Sequence, residues 1–423
     1  MITAVIIFVL MYAGMLIFSE KRVYFALAAA VAMVGVGVLP ISKVLPSINW
    51  NVIMMISGTM GIVTLFIETG MPARMADLML TKVSKASTAI ILLAVFSGLV
   101  SAFIDNVATV LMVAPVGLAI CKKIKINPIP VLISIAVSSN LQGAATLVGD
   151  TTSILLGDFA KMSFMDFFFW QGKPSIFWAV ELGAAGTVVI LWLLFRKNNQ
   201  PVESKQLTEV KDYVPGIMLL MVVVCLIIAS FFTIPYIDDI KNGLICLTLC
   251  VIDVARSCIK KKGKEPLKLV LKEMDYMTIF MLCGLFVVIA GITEAGVIEL
   301  IADKFASLGG GNLFMLYTVL VFASVILSAF IDNIPYVAAM LPVVQFIAGR
   351  LGINPVVLYF GLLSGATLGG NITPFGASAN VAGMGILRKE GYEVKNSDFF
   401  KIGIPFTLTA VFIGYLFIWF VWA

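Results

Sequence analysis

Histidine is missing from all 423 residues. That removes the commonest zinc ligand, the commonest general base and the physiological pH switch together. Charge is scarce as well. Only 13% of residues are Asp, Glu, Lys or Arg, against about a quarter in a soluble domain. The six cysteines, Cys121, Cys225, Cys246, Cys250, Cys258 and Cys283, contain no Cys-x-x-Cys. Cys246 and Cys250 lie one helical turn apart and, lacking a second pair, read as packing. No Gly-x4-Gly-Lys-Ser/Thr loop occurs, which argues against a self-contained ATP pump. Soluble enzyme, disulfide scaffold and nucleic-acid binder are set aside, and no cofactor is expected.

Apolar residues are abundant: 61% of the chain is hydrophobic and the mean hydropathy is +1.06. A bilayer core takes about 20 apolar residues per helix. Spans are predicted over 2–18, 23–39, 51–67, 175–195, 214–233, 243–258, 276–292 and 402–422. The first lacks a basic leader and a small-residue cleavage site, so it is expected to remain as a span. Two longer apolar stretches, 87–122 and 312–349, are interrupted at Asp105-Asn106 and Asp332-Asn333. Each is followed by a short apolar piece that runs into Gly, Ser, Thr and Asn, giving a broken helix over about 130–157 and about 355–386. The expected fold is an all-α polytopic membrane protein.

The two halves repeat each other. Ser101-Ala102-Phe103-Ile104-Asp105-Asn106 recurs unchanged as Ser328-Ala329-Phe330-Ile331-Asp332-Asn333. The same offset carries Pro115 to Pro342, Asn127-Pro128 to Asn354-Pro355, Gly143 to Gly370, Thr146 to Thr373 and Gly149 to Gly376. The register implies one repeat over 1–195, a linker over 196–213 and a second repeat over 214–423. If each interrupted stretch is a re-entrant hairpin, 23 of the 29 Lys and Arg fall on one side of the membrane. The positive-inside rule makes that side cytoplasmic. Both termini are then outside, the hairpins open from opposite faces, and the repeats are inverted, as is typical of secondary transporters in a cytoplasmic membrane.

An Asp at the centre of a membrane helix costs roughly 2.5–3.5 kcal/mol on insertion scales, so Asp105 and Asp332 at the hairpin tips call for a partner. Ser101 and Ser328 lie one turn before them, Asn106 and Asn333 begin the next helix, and Thr109 follows in the first. Helix capping explains Asp-Asn on its own, but does not require a six-residue identity. The favoured reading is a cation or proton site, with Na+ possible at Asp105, Asn106, Asp332 and Asn333, because hard cations take oxygen ligands. The Gly-rich segments supply a candidate substrate set: Ser139, Asn140, Gly143, Thr146 and Asp150 in the first half, and Thr367, Asn371, Thr373, Ser378 and Asn380 in the second. Irregular backbone at membrane depth survives only against protein or a wet cavity.

The paired Phe-Ile-Asp-Asn tips, Gly-Ala-Ala-Thr-Leu-Val-Gly-Asp from Gly143 and Gly-Gly-Asn-Ile-Thr-Pro-Phe-Gly-Ala-Ser-Ala-Asn from Gly369 resemble the ion transporter superfamily. The similar branch holds arsenite permeases, certain sodium/proton antiporters and the melanosomal P protein, which share a citrate-transporter-like domain. The resemblance implies a transport domain moving against a dimerising scaffold domain, elevator fashion. This chain departs from P-like members in carrying Thr151-Thr152-Ser153 after the first motif. It departs from dicarboxylate carriers, whose tips carry Ser-Asn-Thr, in having Asp-Asn there.

Among other charges, Glu181 is read as a wet-cavity or snorkelling acid, and Asp253 is expected to pair with Arg256. Glu68 and Glu294 are read as interfacial caps or a gate, and the basic run 256–272 as a lipid-facing cytoplasmic loop. The expected function is cation-coupled secondary transport of a small ion. Its forms are Na+/H+ antiport or movement of an anion such as arsenite or citrate. An ion channel is the alternative, as is an intramembrane aspartyl protease, whose Gly-x-Gly-Asp signature is absent because Val148-Gly149-Asp150 follows Leu147.

Overall fold

The computed structural model describes residues 1–18, 21–81, 83–202, 207–233, 235–308 and 312–423. Lys82 and Lys205 of the basic set, and part of the 196–213 linker, lie outside them. Among the described residues ten α-helices precede the linker: α1 (Ile2–Ile17), α2 (Arg22–Gly35), α3 (Val44–Ser47), α4 (Trp50–Glu68), α5 (Met71–Leu80), α6 (Ala86–Ser101), α7 (Asn106–Ile124), α8 (Ile129–Gly143), α9 (Thr151–Phe159) and α10 (Ile176–Phe195). Ten follow it: α11 (Val214–Ala229), α12 (Lys241–Lys260), α13 (Glu265–Glu273), α14 (Tyr276–Glu294), α15 (Val297–Leu308), α16 (Leu313–Ser328), α17 (Asn333–Leu351), α18 (Val356–Gly369), α19 (Ser378–Lys389) and α20 (Asn396–Trp422). A two-residue hairpin, β1 (Phe169–Trp170) with β2 (Lys173–Pro174), turns at Gln171 and Gly172, both with positive φ.

The helix starts follow from local chemistry that the duplication preserves. Asn49 accepts from the Val52 amide at 3.1 Å, and its repeat counterpart Asp275 accepts from Thr278 at 3.0 Å. Asn127 and Asn354, each followed by proline, cap α8 and α18 through Ile129 and Val356. Each cap satisfies an orphan helix donor.

Seven helices of the described residues are long and apolar enough to cross a membrane: α4, α7, α10, α12 with its preceding turn, α14, α17 and α20. Seven shorter apolar helices accompany them, α1 and α2 included. The 16-residue α1 extends about 24 Å, short of the roughly 30 Å hydrocarbon core. The structure thus replaces the predicted span 23–39 with a 14-residue helix ended at Gly35 and a turn at Gly37. The chain is an all-helical, multi-span membrane protein with apolar side chains exposed on its outer helix faces, such as Leu10, Val31, Leu220 and Val224.

Packing crosses between the halves. Helix α2 lies on α14, and α12 lies on α4. Both contacts are made by glycine: Gly58 sits against the backbone of Cys246, and Gly284 against that of Ala26, so a methyl group at either would strike main chain. Small residues allow this approach where lipid gives helices no hydrophobic reason to associate. One group of helices (α1, α2, α4, α11–α14) packs mainly within itself. A second group (α6–α10, α16–α20) is built on α6 against α8, α16 against α18, and α10 against α20. Helices α5 and α15 bridge the two groups.

Two charge expectations change. Arg256 pairs with Asp212 of the linker, not with Asp253, and Lys260 joins it at 2.8 Å. Burial alone would raise the Asp212 carboxyl, but the hydrogen bonds from Arg256 and Lys260 outweigh it and hold it well below the usual range. Asp212 is within reach because the linker returns to the end of α12. Asp253, fully buried, has no hydrogen-bond partner at either carboxylate oxygen. Arg22, counted with the basic loops, instead starts α2 and ion-pairs with Asp332.

Candidate functional site

Both interrupted stretches are helix–break–helix units. Residues 102–105 separate α6 from α7, and 329–332 separate α16 from α17. Asp105 caps α7, its Oδ1 accepting from the Val107 and Ala108 amides at 3.0 and 3.2 Å. Asp332 caps α17 through Ile334 at 3.2 Å. Capping therefore operates at both tips.

The two Gly-rich segments cradle the tips in matching fashion. Thr146 Oγ1 donates to the Ala102 carbonyl, and Thr373 Oγ1 donates to Ala329 at 2.6 Å, one repeat later. Ser153 donates to the Gly143 carbonyl at 3.3 Å, while Asn380 donates to Gly370 at 3.0 Å and to Thr373 at 3.1 Å. Gly149 lies against the carbonyls of Gly143, Ala102 and Ser101, and Gly376 against those of Gly370 and Ala329. Gly143 lies beneath the Asn106 amide.

A chain of buried amides joins the halves. Asn106 Nδ2 donates to Asn140 Oδ1 at 2.8 Å, and Asn140 Nδ2 donates to Asn371 Oδ1 at 3.0 Å and to the Thr367 carbonyl at 3.1 Å. Asn371 Nδ2 then donates to the Val137 carbonyl at 3.0 Å. Ser139 Oγ meets Ser101 Oγ at 3.0 Å and the Asn106 carbonyl at 3.1 Å. Thr152 donates to Asp150 at 2.8 Å and touches Thr367 Oγ1 at 3.1 Å.

Some expected ligands point elsewhere. Ser101 donates to Asn106 at 3.3 Å, Ser328 to the Ala366 carbonyl at 2.5 Å, and Thr109 lies 3.5 Å from the Ile104 carbonyl. None of these hydroxyls bonds a tip carboxylate in this conformation.

A cavity of about 450 Å3 opens onto the site. Buried Asn106, Asn140, Asp150 and Asn333, half-buried Asp105 and exposed Ser378 line it at the tips, and exposed Glu68, Glu273 and Asp275 line its mouth. Among the described residues the lining thus carries five carboxylates and no Lys or Arg, though Lys261 pairs with Glu68 at 2.7 Å and Lys272 with Glu273 at 3.5 Å. Asp332 is not part of it. Four helix starts meet there: Asn106 of α7, Thr151 of α9, Asn333 of α17 and Ser378 of α19. Helix N-termini favour negative charge, a preference that the caps Asp105 and Asp332 already meet in part at α7 and α17, while the carboxylates favour positive charge. Of the mouth acids, Glu68 was read from the sequence as an interfacial cap or a gate, while Glu273 and Asp275 escaped that reading. Asp275 carried one usable signal, its repeat match to the Asn49 cap.

Fold and site together describe a polytopic membrane protein whose broken helices meet around an open cavity. The chain belongs to the citrate transporter family, whose model matches residues 12–346 and 264–423. An uncharacterized transporter of Mycobacterium tuberculosis is 31% identical over 99% of this chain and 98% of its own length. The human P protein is 24% identical over 92% of this chain and 56% of its own. Among solved structures, the YdaH transporter of Alcanivorax borkumensis superposes with a TM-score of 0.60 at 14% identity, covering 89% of this chain and 86% of that one. MtrF of Neisseria gonorrhoeae, one of a class of antimetabolite efflux pumps, gives 0.57 at 14% identity over 96% and 86%. These two establish likeness of fold.

Proposed function

We propose that the chain is a cation-coupled secondary transporter of the cytoplasmic membrane, in a conformation open to the cytoplasm, whose free coupling ion, Na+ or H+, binds between Asp105 and Asp150. The observation that carries this is the cavity lined by five carboxylates, running from Glu68, Glu273 and Asp275 at the mouth, the first two paired with Lys261 and Lys272, down to Asp105 and Asp150, which have no basic partner among the described residues. Its mouth lies beside α13, in the basic run 256–272 that the positive-inside rule puts in the cytoplasm. An acidic path concentrates cations, and carboxylate, amide and hydroxyl oxygens suit a hard ion such as sodium.

On this reading the repeats are inverted and the interrupted stretches are re-entrant hairpins. The α6–α10 and α16–α20 group moves as a transport domain against a scaffold of α1, α2, α4 and α11–α14. The scaffold would also carry a homodimer contact. Both termini face outside.

The narrowest form is Na+/H+ exchange at Asp105. A second form has its own support in the four helix starts around the cavity: a small oxyanion or carboxylate, arsenite or citrate for instance, held there with the cation beside it. Proteoliposomes loaded with a pH-sensitive dye and offered sodium, lithium, arsenite or citrate across several pH values separate the forms. Sodium-driven proton movement marks the first, and sodium- or proton-dependent accumulation of labelled anion the second. Asp105→Asn is expected to lower either flux at least 100-fold while the protein stays folded, as expected when a charge that must bind the ion is removed. Full flux in that variant ends the assignment.

A further inference from the structure

Asp105 and Asp332 end identical six-residue strings, yet their surroundings differ in charge. Asp105 borders the acidic cavity, and among the described residues no Lys or Arg pairs with it or with Asp150. Asp332 is only 4% exposed and meets the Arg22 guanidinium at 2.5 Å; Arg22 is itself 18% exposed. The same carboxylate oxygen also accepts from Ser378 at 3.3 Å, while the other takes the Ile334 amide. The contact is braced nearby, because the Tyr12 hydroxyl donates to the Pro335 carbonyl at 2.6 Å, seating α1 on the first turn of α17. Among the described residues nothing equivalent serves Asp105. Gly58 meets Cys246 where Gly284 meets Ala26. Counting four residues back from each partner sets neutral Asn242 opposite Arg22.

A buried carboxylate needs a compensating charge, and an arginine cannot relinquish its proton to escape the pairing. We propose that Arg22 is the resident cation of the second tip: tethered to α2, it fills the ion position at Asp332 in this conformation, so that only the first tip is left for a free ion. The inference rests on the reading of Asp105 and Asp150 as the free-ion site. It makes Arg22 a specificity-determining residue that sets how many ions travel per cycle. It also ties occupancy to movement. Arg22 belongs to the helix group containing α14, and Asp332 to the group containing α16–α20. Sliding one group past the other draws the guanidinium off Asp332, and the bared carboxylate must then take a cation or proton from solution.

The test is equilibrium binding of radiolabelled sodium to the purified full-length chain in detergent. Arg22→Gln is expected to double the sodium bound per protomer at saturation, and adding Asp332→Asn to that variant returns binding to the unaltered level. Binding by Arg22→Gln no greater than that of the unaltered chain overturns the proposal, whatever the unaltered chain binds. If Arg22→Gln does not fold, Asp332→Asn alone decides: unchanged sodium supports a tethered occupant, and halved sodium shows a free ion at Asp332 and overturns it. Asp105→Asn probes the underlying reading separately. If it leaves binding intact while Arg22→Gln gains Asp332-dependent sodium, the Asp105 assignment falls and the role of Arg22 stands.

Discussion

At the scale of single residues, the centre of the molecule is held by amides. Asn140 is fully buried and bonded at both ends of its side chain, to Asn106 in its own half and to Asn371 and Thr367 in the other. Truncation would strand a donor on Asn106 and an acceptor on Asn371 in a low-dielectric interior. Asn140→Ala is therefore expected to cost roughly 2–4 kcal/mol, read as a lowered unfolding temperature in detergent; an unchanged melting curve would show the amides relaxing onto water. The carboxylates at the tips were legible in the sequence, because a six-residue identity across two halves marks them without any structure. Arg22 was not. Its partner is 310 residues away, and a basic residue between two apolar runs looks like any other loop charge. Asp253 failed for a related reason: a residue three positions on was the nearest cation in sequence, but Arg256 found Asp212 instead.

At the scale of elements, the breaks in the helices are fixed by close backbone approach. An added methyl at Gly149 would fall 2.6 Å from the Gly143 carbonyl and 2.8 Å from those of Ala102 and Ser101; at Gly376 it would fall 2.7 Å from Gly370 and 2.9 Å from Ala329. All of these are main-chain atoms that cannot rotate aside. Gly149→Ala and Gly376→Ala are each expected to destabilise by about 1–3 kcal/mol or more through overpacking, whereas Gly349→Ala, which meets no atom within 4 Å, should be silent in the same melting assay. Equal melting of all three would mean that the breaks tolerate displacement. Glycine spacing and the duplication made these breaks readable. The shortness of α1 and α2 was not readable, since an apolar run reports how much can be buried in lipid or protein, and not where a turn ends the helix.

At the scale of the whole molecule, two helix groups meet across few contacts, and polar side chains close part of the seam. Asn51 Nδ2 donates to Asp158 Oδ1 at 2.7 Å, with Asn49 on the other carboxylate oxygen, joining the start of α4 to the end of α9. If the groups move past each other during transport, a bond here must break each cycle. Cysteines at both positions (Asn51→Cys with Asp158→Cys), with the six native cysteines replaced, should cross-link on mild oxidation and stop flux, with recovery on reduction. Ion binding in the cross-linked protein should persist. Undiminished flux in the cross-linked protein would place the moving boundary elsewhere. The sequence disclosed two related halves; it could not disclose that the working groups cut across them, because that division comes from packing between distant helices.

The crossed pairing of α2 on α14 and α12 on α4 also governs how the protein comes into being. When α4 leaves the ribosome its Gly58 groove has no occupant, and α12 is made only after more than 170 further residues, on the order of ten seconds or longer at ordinary synthesis rates. The first half must wait in the membrane with bare grooves and with the Asn140 N–H2 group lacking its partners Asn371 and Thr367. A chain cut at the linker should thus be prey for quality-control proteases, and the two pieces, coexpressed, should rescue each other.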